Sequence, residues 1–208
     1  VPLPRADDSA AIAGGVVPEM LDFEAVAEQA TALVDAAREA GASLLGNLST
    51  SNASKTVAVA RGVTVLAARI GTGSTVDLNG SAFVFPVDGT SVEVTVPVSA
   101  LDGLGTPEDM AIVIAAFDGG NVPGPSGQVS AAVNVDIVQL TSNAKVHVSG
   151  LAAPVRISMP TNFSSGLDCA YWDEQALAWS TAGVRASADS GPGTLLVCET
   201  THLSLFGA

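Results

Sequence analysis

The sequence is poor in basic residues and contains no long uninterrupted apolar run. Eight Lys and Arg residues stand against 21 Asp and Glu residues, which gives a formal net charge of −13 at pH 7. A charge of this sign repels phosphate backbones and anionic lipid headgroups, so we expect no nucleic-acid partner. The longest apolar stretch, residues 57–70, is interrupted by Arg61 and Arg69. It is shorter than the roughly 20 residues that a membrane-spanning helix needs.

The sequence also lacks the residue groups that hold metals and cofactors. Its two histidines, His147 and His202, have no further His or Cys cluster at zinc-ligand spacing. No Lys-Ser or Lys-Thr pair at a helix start follows residues 71–73, so Gly-Thr-Gly predicts a turn and not a phosphate loop. We interpret the acidic residues Asp102, Glu108 and Asp109 as a solvated loop, which could bind calcium only weakly. We predict no metal and no cofactor.

The apolar pattern changes its period along the chain. From Pro18 to about Gly41 apolar residues recur every three or four positions, which predicts an amphipathic helix, with a short second helix near residues 43–48. Farther along, β-branched residues alternate between clusters of Gly, Pro, Asn and Asp, which predicts an antiparallel β-sandwich. The predicted organisation is an extension over residues 1–17, a reduced helical subdomain over 18–55 and the sandwich over 56–208.

Two features are compatible with a secreted chain. Four Asn-X-Ser triplets could carry N-linked glycans on surface loops. They begin at Asn47, Asn52, Asn79 and Asn162. The chain has only two cysteines, Cys169 and Cys198. If they pair, they close a loop of roughly 30 residues and stabilise the fold by about 3–4 kcal/mol.

Aromatic residues make up 4% of the chain, yet several lie within its last forty positions. Trp172 and Trp179 are large anchors near the cysteines, which indicates a rigid, packed end of the sandwich. His202 precedes Ser204 by two positions, so in an extended strand both side chains would point to one face, across the Leu203–Ser204 bond. Taken alone this spacing is weak evidence, because a solvated or hydrogen-bonded histidine on an edge strand explains it more simply.

The ordered whole of residues 169–208 resembles the GPS motif, the proteolysis site that closes the GAIN domain of adhesion G-protein-coupled receptors and polycystins. The motif runs Cys, aromatic, Trp and acid, then Trp-Ser and Gly, then Cys, His-Leu-Ser or His-Leu-Thr, and Phe. Here these positions are Cys169, Tyr171, Trp172, Asp173, Trp179, Ser180, Gly183, Cys198, His202, Leu203, Ser204 and Phe206. A looser match lies upstream, at Phe83-Val-Phe85-Pro86.

The resemblance implies a GAIN subdomain B sandwich that cuts itself once, between Leu203 and Ser204, and is not a turnover enzyme. His202 would act as general base and Ser204 as nucleophile in an N-to-O acyl shift, followed by ester hydrolysis. The strand after the cut would stay bound without a covalent link. The parent would have a membrane-spanning remainder, this domain on the extracellular or lumenal side of the cell surface or ciliary membrane, and a possible polycystin-type channel subunit as partner.

The sequence departs from the receptor pattern at two positions that usually hold a second pair of cysteines, here Val184 and Thr200. If the family pairs its first cysteine with its third and its second with its fourth, one complete bridge is missing and Cys169–Cys198 survives. The run Cys-X-Thr-X-His-Leu is closer to the polycystin version and favours a polycystin-like parent. Two alternatives stay open: an uncleaved adhesion or force-bearing module and, less favoured, a plain immunoglobulin-like binding sandwich.

Overall fold

The structure is a computed structural model that describes residues 23–48, 53–60, 62–72, 75–76, 80–104, 106, 109–118, 122–124, 127–128, 131–142, 144–162, 168–190 and 195–208. These residues form one α-helix, α1 (Phe23–Leu45), a short 3-10 helix (Val98–Leu101) and a series of strands. The strands are β1 (Ser54–Ala60), β2 (Val63–Arg69), β3 (Thr75–Val76), β4 (Ala82–Pro86), β5 (Glu93–Pro97), β6 (Met110–Asp118), β7 (Pro123–Gly124), β8 (Gly127–Gln128), β9 (Ala131–Gln139), β10 (Ala144–Val146), β11 (Val155–Asn162), β12 (Ala170–Asp173), β13 (Ala178–Ser180), β14 (Val184–Ala186), β15 (Leu195–Thr200) and β16 (Leu205–Gly207).

Two antiparallel sheets form a sandwich. Sheet A has the strand order β1-β2-β6-β9-β16-β12-β13, and β10 also pairs with β9. Sheet B has the order β14-β15-β11-β5-β4-β3. The mainly β, antiparallel sandwich with an N-terminal helix that the sequence predicted is confirmed. The boundaries of the predicted subdomains stay a prediction.

Strand β9 shows why the sequence folds in this way. Its alternate residues enter two cores, Val133, Val135 and Ile137 between the sheets and Ala132 and Val138 under the helix. A strand buried on both faces is apolar at nearly every position. Asn134 and Asp136 are the exceptions, and alternation places both on the helix side, where they are buried.

Helix α1 packs on the outer face of sheet A. Its buried residues are Ala30, Val34, Ala37, Leu44 and Leu45. Gly41 was expected to end the helix, and that prediction is wrong, as is the separate second helix, because α1 runs on to Leu45. A Cβ at Gly41 would lie 2.5 Å from Cγ1 of Val113 on β6, so a close approach to the sheet requires the glycine. Residues 18–22 of the expected helix lie outside the described residues.

Three further observations concern the rest of the sandwich. A disulfide between Cys169 and Cys198 confirms the predicted pair and joins β15 of sheet B to the residue before β12 of sheet A. The segment 118–127 contains the buried Val122 and the β7 half of a small hairpin with β8. No helix among the described residues has the length and apolar character needed to cross a membrane.

Candidate functional site

The His202–Ser204 segment lies where β9 changes its partner. Strand β10 pairs with residues 137–139 of β9, and β16 pairs with residues 132–134 on the same strand. Between these two ladders, the Val135 N–H donates a hydrogen bond to the Ser204 carbonyl, at 3.0 Å. The Leu203–Ser204 bond is therefore held beside a gap in the strand pairing of sheet A.

The segment is not an extended strand, so strand alternation does not describe how the two side chains are placed. Strand β15 ends at Thr200, and β16 begins only at Leu205. The Thr200 hydroxyl accepts a hydrogen bond from His202 N–H at 3.2 Å and donates one to the His202 carbonyl at 3.0 Å. A Thr hydroxyl that bonds the backbone two residues later makes a local turn and competes with strand pairing.

Backbone hydrogen bonds hold both sides of the Leu203–Ser204 peptide unit. On one side, Leu203 N–H donates to the carbonyl of Val148, at 3.3 Å. On the other side is the bond from Val135 to the Ser204 carbonyl. Among the backbone hydrogen bonds found in the described residues, none involves the Leu203 carbonyl or the Ser204 N–H. A reaction at this amide would therefore disrupt no backbone pairing.

The Ser204 side chain is buried, with 7% of its surface exposed. Its hydroxyl donates a 2.7 Å hydrogen bond to the Trp172 carbonyl on β12, the strand that pairs with β16. That bond goes to a backbone oxygen and not to His202. The hydroxyl is thus held in place by an acceptor that cannot take its proton.

The His202 imidazole packs in an aromatic group beside the segment. Its ring centroid lies 4.1 Å from that of Tyr171 in an edge arrangement and 5.7 Å from that of Phe206 in a stacked one. Tyr171 and Phe206 are direct cross-strand partners. Gly183, at φ 76°, lies against the same ring: a Cβ there would be 3.7 Å from the imidazole Cδ2. These contacts bring the predicted anchors Tyr171, Gly183 and Phe206 around His202.

Burial lowers the pKa of His202 below its ordinary value of 6.5, and a polar contact with the Ala182 backbone and the charge of Asp173 only partly offset this effect. Its Nε2 is buried and makes no hydrogen bond of normal geometry among the described residues. The lowered pKa favours the neutral imidazole at pH 7, which is the form that can accept a proton.

The sequence matches one family model. The model described as GPS: GAIN subdomain B matches residues 52–208. The chain belongs to the GAIN subdomain B family. The match covers more than half of the chain, includes the whole sandwich and begins after helix α1. A search of the curated proteins finds no match.

The two tryptophans lie side by side on the neighbouring strands β12 and β13 of this GAIN domain. Trp172 and Trp179 are direct cross-strand partners, with ring centroids 5.9 Å apart and an interplanar angle of 70°. Trp172 is buried on the helix-facing side of sheet A. Its packing fixes the position of the carbonyl that accepts the Ser204 hydrogen bond, so the prediction of a rigid end fits the contacts.

The GAIN domain also has charged residues beside the site that the sequence did not reveal. A cleft of about 500 Å³ runs along the Leu203–Ser204 segment, and Arg38, Lys145 and Glu174 line it. The buried carboxylate of Asp136 lies 2.7 Å from Lys145 Nζ, and Arg38 lies 2.8 Å from Glu174. The two polar residues of β9 were the available signal, since an apolar strand buried on both faces has little reason to contain them.

The other residues singled out in the sequence lie around or away from this cleft. His147 follows β10, is exposed and lines the cleft. Asn47 is exposed after α1, and its amide nitrogen donates to the Ser43 carbonyl. Asp109 accepts a hydrogen bond from Thr106. Several predictions fall outside the described residues or side chains: Asn52, Asn79, Asn162, Glu108 and Gly73.

Proposed function

We propose that this GAIN domain cleaves its own backbone between Leu203 and Ser204. The observation that carries the proposal is the state of this one amide. Both of its flanks are held by backbone hydrogen bonds, its own carbonyl and N–H have no backbone partner among the described residues, and its serine hydroxyl is buried. Fixing a nucleophile next to a carbonyl can contribute about 7–11 kcal/mol of the activation barrier in favourable cases.

The reaction is an internal acyl shift. His202 accepts the Ser204 hydroxyl proton while the oxygen attacks the Leu203 carbonyl carbon. The carbon–nitrogen bond then breaks, the Ser204 nitrogen takes the proton from His202, and an ester links the Leu203 carbonyl carbon to the Ser204 oxygen. Water hydrolyses the ester with His202 again as base, which leaves a Leu203 carboxylate and a Ser204 amine with its hydroxyl restored.

One rearrangement precedes this chemistry. The Ser204 hydroxyl donates to the Trp172 carbonyl in the resting structure. For proton transfer its O–H must turn from that carbonyl toward the imidazole of His202, whose lowered pKa keeps it neutral. The Ser204 backbone is held during this turn, because its carbonyl accepts a hydrogen bond from Val135 and the next residue begins β16, which is paired on both edges.

The strand after the cut is expected to remain in the sandwich as its own non-covalent partner. Leu205 and Phe206 are fully buried, each in a different core. Burying two such side chains contributes on the order of 3–6 kcal/mol, before the strand pairing on both edges is counted. Cleavage and release are therefore separate events.

The family membership supports an extracellular or lumenal position on a membrane protein, and the disulfide agrees with an oxidising compartment. The parent would be an adhesion receptor or, as the Thr200 version of the motif favours, a polycystin-like protein. Its membrane-spanning remainder and a polycystin-type channel subunit are the proposed partners. N-linked glycans on the four Asn-X-Ser triplets belong to the same proposal.

The test compares the denatured intact masses of the native chain, Ser204→Ala and Ser149→Ala. Ser149 is an exposed serine that lines the same cleft and serves as the matched control. We expect the native chain and Ser149→Ala to end at Leu203, and Ser204→Ala to keep residues 204–208. Hydroxylamine added during cleavage should trap the ester as a hydroxamate on Leu203. Equal retention of residues 204–208 in all three proteins would reject self-cleavage.

One observation favours a second function, an uncleaved adhesion or force-bearing module. The Ser204 hydroxyl is hydrogen-bonded to the Trp172 carbonyl, and neither Leu203 nor Ser204 has a positive φ angle. In this alternative the Ser204 hydroxyl only stabilises the pairing of β12 with β16. Ser204→Ala would then lower the free energy of unfolding by about 1 kcal/mol and leave the mass of every protein complete.

A further inference from the structure

Thr200 occupies a position at which the receptor pattern has a cysteine. It is 1% exposed, and both of its hydroxyl hydrogen bonds go to the backbone of His202. A hydroxyl can donate one hydrogen bond and accept others at the same time, so one side chain satisfies the N–H and the carbonyl of a single residue.

The strand register shows what this position replaces. Thr200 lies directly opposite Val184 on β14 and opposite Val155 on β11. Val184 and Thr200 are the two positions at which the receptor pattern has its second pair of cysteines. A covalent cross-link between β14 and β15 at this height is therefore absent, immediately before the segment that holds the scissile bond.

We infer that Thr200 is a positioning residue for self-cleavage, whose hydroxyl holds the His202 backbone and thereby sets the imidazole and the Leu203–Ser204 bond in register. The inference rests on the proposed function. The remaining contacts of this region agree with it. The Thr201 carbonyl accepts from Leu151 N–H at 2.9 Å, and Leu203 N–H donates to Val148, so the neighbouring residues are tied to a different segment. For His202 itself, the backbone anchor is the Thr200 hydroxyl.

The variants separate the hydroxyl from the shape of the side chain. Thr200→Val keeps the branched shape and removes the hydroxyl, whereas Thr200→Ser keeps the hydroxyl. Thr161→Val removes another buried threonine hydroxyl at the opposite end of β11 and is the matched control for general destabilisation. Each full-length chain is collected in denaturant after cell-free synthesis and refolded, and loss of residues 204–208 is followed by mass.

We expect Thr200→Val to cleave at least about tenfold more slowly than the native chain, which corresponds to about 1.4 kcal/mol of barrier. Thr200→Ser should stay within about threefold of the native rate, and Thr161→Val should match it. Equal rates for Thr200→Val and Thr161→Val would overturn the inference. So would a Thr200→Ser variant that folds and still cleaves as slowly as Thr200→Val.

A second readout does not depend on cleavage. In the Ser204→Ala background, amide hydrogen exchange at His202 should become at least about tenfold faster on Thr200→Val. The Val197 amide of the same strand, which donates to Ser190 Oγ, should keep its rate. Unchanged exchange at His202 would overturn the inference even if cleavage slows. If the native chain and Ser204→Ala both keep their full mass, the proposed function fails, and exchange at His202 still decides whether Thr200 holds this segment.

Discussion

Single side chains at this site act through their environment. The His202 imidazole is enclosed by Tyr171, Phe206 and Gly183, and the resulting burial favours its neutral form. Ser204 is more deeply buried than the partly buried His202, and its hydroxyl donates its hydrogen bond to a backbone carbonyl. The proposed base is thus held mainly in its neutral form, and the proposed nucleophile must give up its hydrogen bond to the Trp172 carbonyl before it can react.

The rate of self-cleavage should depend on pH through His202. Because burial lowers the pKa of His202 below 6.5, the neutral base form predominates at pH 7 and above, and the rate should level off there. Below the pKa the rate should fall by about tenfold per pH unit, since only the neutral imidazole accepts the proton. The measurement is the loss of full-length mass after a jump from low pH to each test pH.

Asp173→Asn supplies the control for that profile. The charge of Asp173 raises the pKa of His202, so removing it should move the fall in rate to still lower pH. Asn keeps the side-chain oxygen that accepts from the Gln175 and Ala176 N–H groups, and the turn is preserved. An inflection above pH 6.5, or a shift to higher pH in Asp173→Asn, would contradict the role of His202 as base.

The elements around the site are held together at close range. Helix α1 lies on sheet A with Gly41 against Val113, and the charged side chain of Arg38 on the same helix reaches Glu174 beside the β12–β13 turn. The helix therefore contacts the same sheet that carries the Ser204 acceptor. The distance between the helix and sheet A is set at Gly41, which has no side chain.

Gly41→Ala should destabilise the domain by about 1–3 kcal/mol although alanine is the better helix former. The added methyl would meet the branched Val113 side chain at 2.5 Å, and that side chain has little rotamer freedom. Gly46→Ala is the control, because its nearest neighbours are ordinary contacts at 3.8 Å or more. Urea unfolding measures both.

In the Val113→Ala background the added methyl has no branched side chain to clash with. Gly41→Ala should then lower the free energy of unfolding by less than about half as much as it does in the native background. A Gly41→Ala variant as stable as Gly46→Ala would show that the helix can move away from the sheet freely.

The whole molecule is a two-sheet sandwich with a covalent link next to the reacting end. The bridge joins Cys169, beside β12, to Cys198 on β15, with Cα atoms 5.8 Å apart. Strand β12 carries the acceptor of the Ser204 hydroxyl, and β15 leads into Thr200 and His202. The bridge therefore connects the two strands whose relative position sets the site.

Removing the bridge with Cys169→Ala and Cys198→Ala together should lower the free energy of unfolding by about 3–4 kcal/mol, as expected for a loop closed across 29 residues. Urea denaturation of the Ser204→Ala background, with and without reductant, provides the measurement. Reductant should lower the free energy of unfolding of the bridged protein to that of the double variant. It should leave the stability of the double variant unchanged. Equal stability of the two oxidised proteins would contradict this role.

Local period and composition were enough to predict the helix, the alternating strands, the sandwich and the Cys169–Cys198 pair. The sequence did not predict that Gly41 lies inside the helix or that the His202–Ser204 segment is a turn. Both depend on contacts across the fold, with Val113 for the glycine and with Val135 and Val148 for the turn.

The hydrogen-bond partners of the Ser204 and Thr200 hydroxyls could not be predicted from the sequence, because they depend on how the strands are arranged. The acceptor of the first lies 32 residues away on β12, and strand register brings it within 2.7 Å. Thr200 is two residues from His202, but its hydroxyl turns to that backbone because β15 ends there. Alternation in a sequence assigns faces of a strand, whereas hydrogen bonds at the end of a strand follow from which neighbouring strands are present.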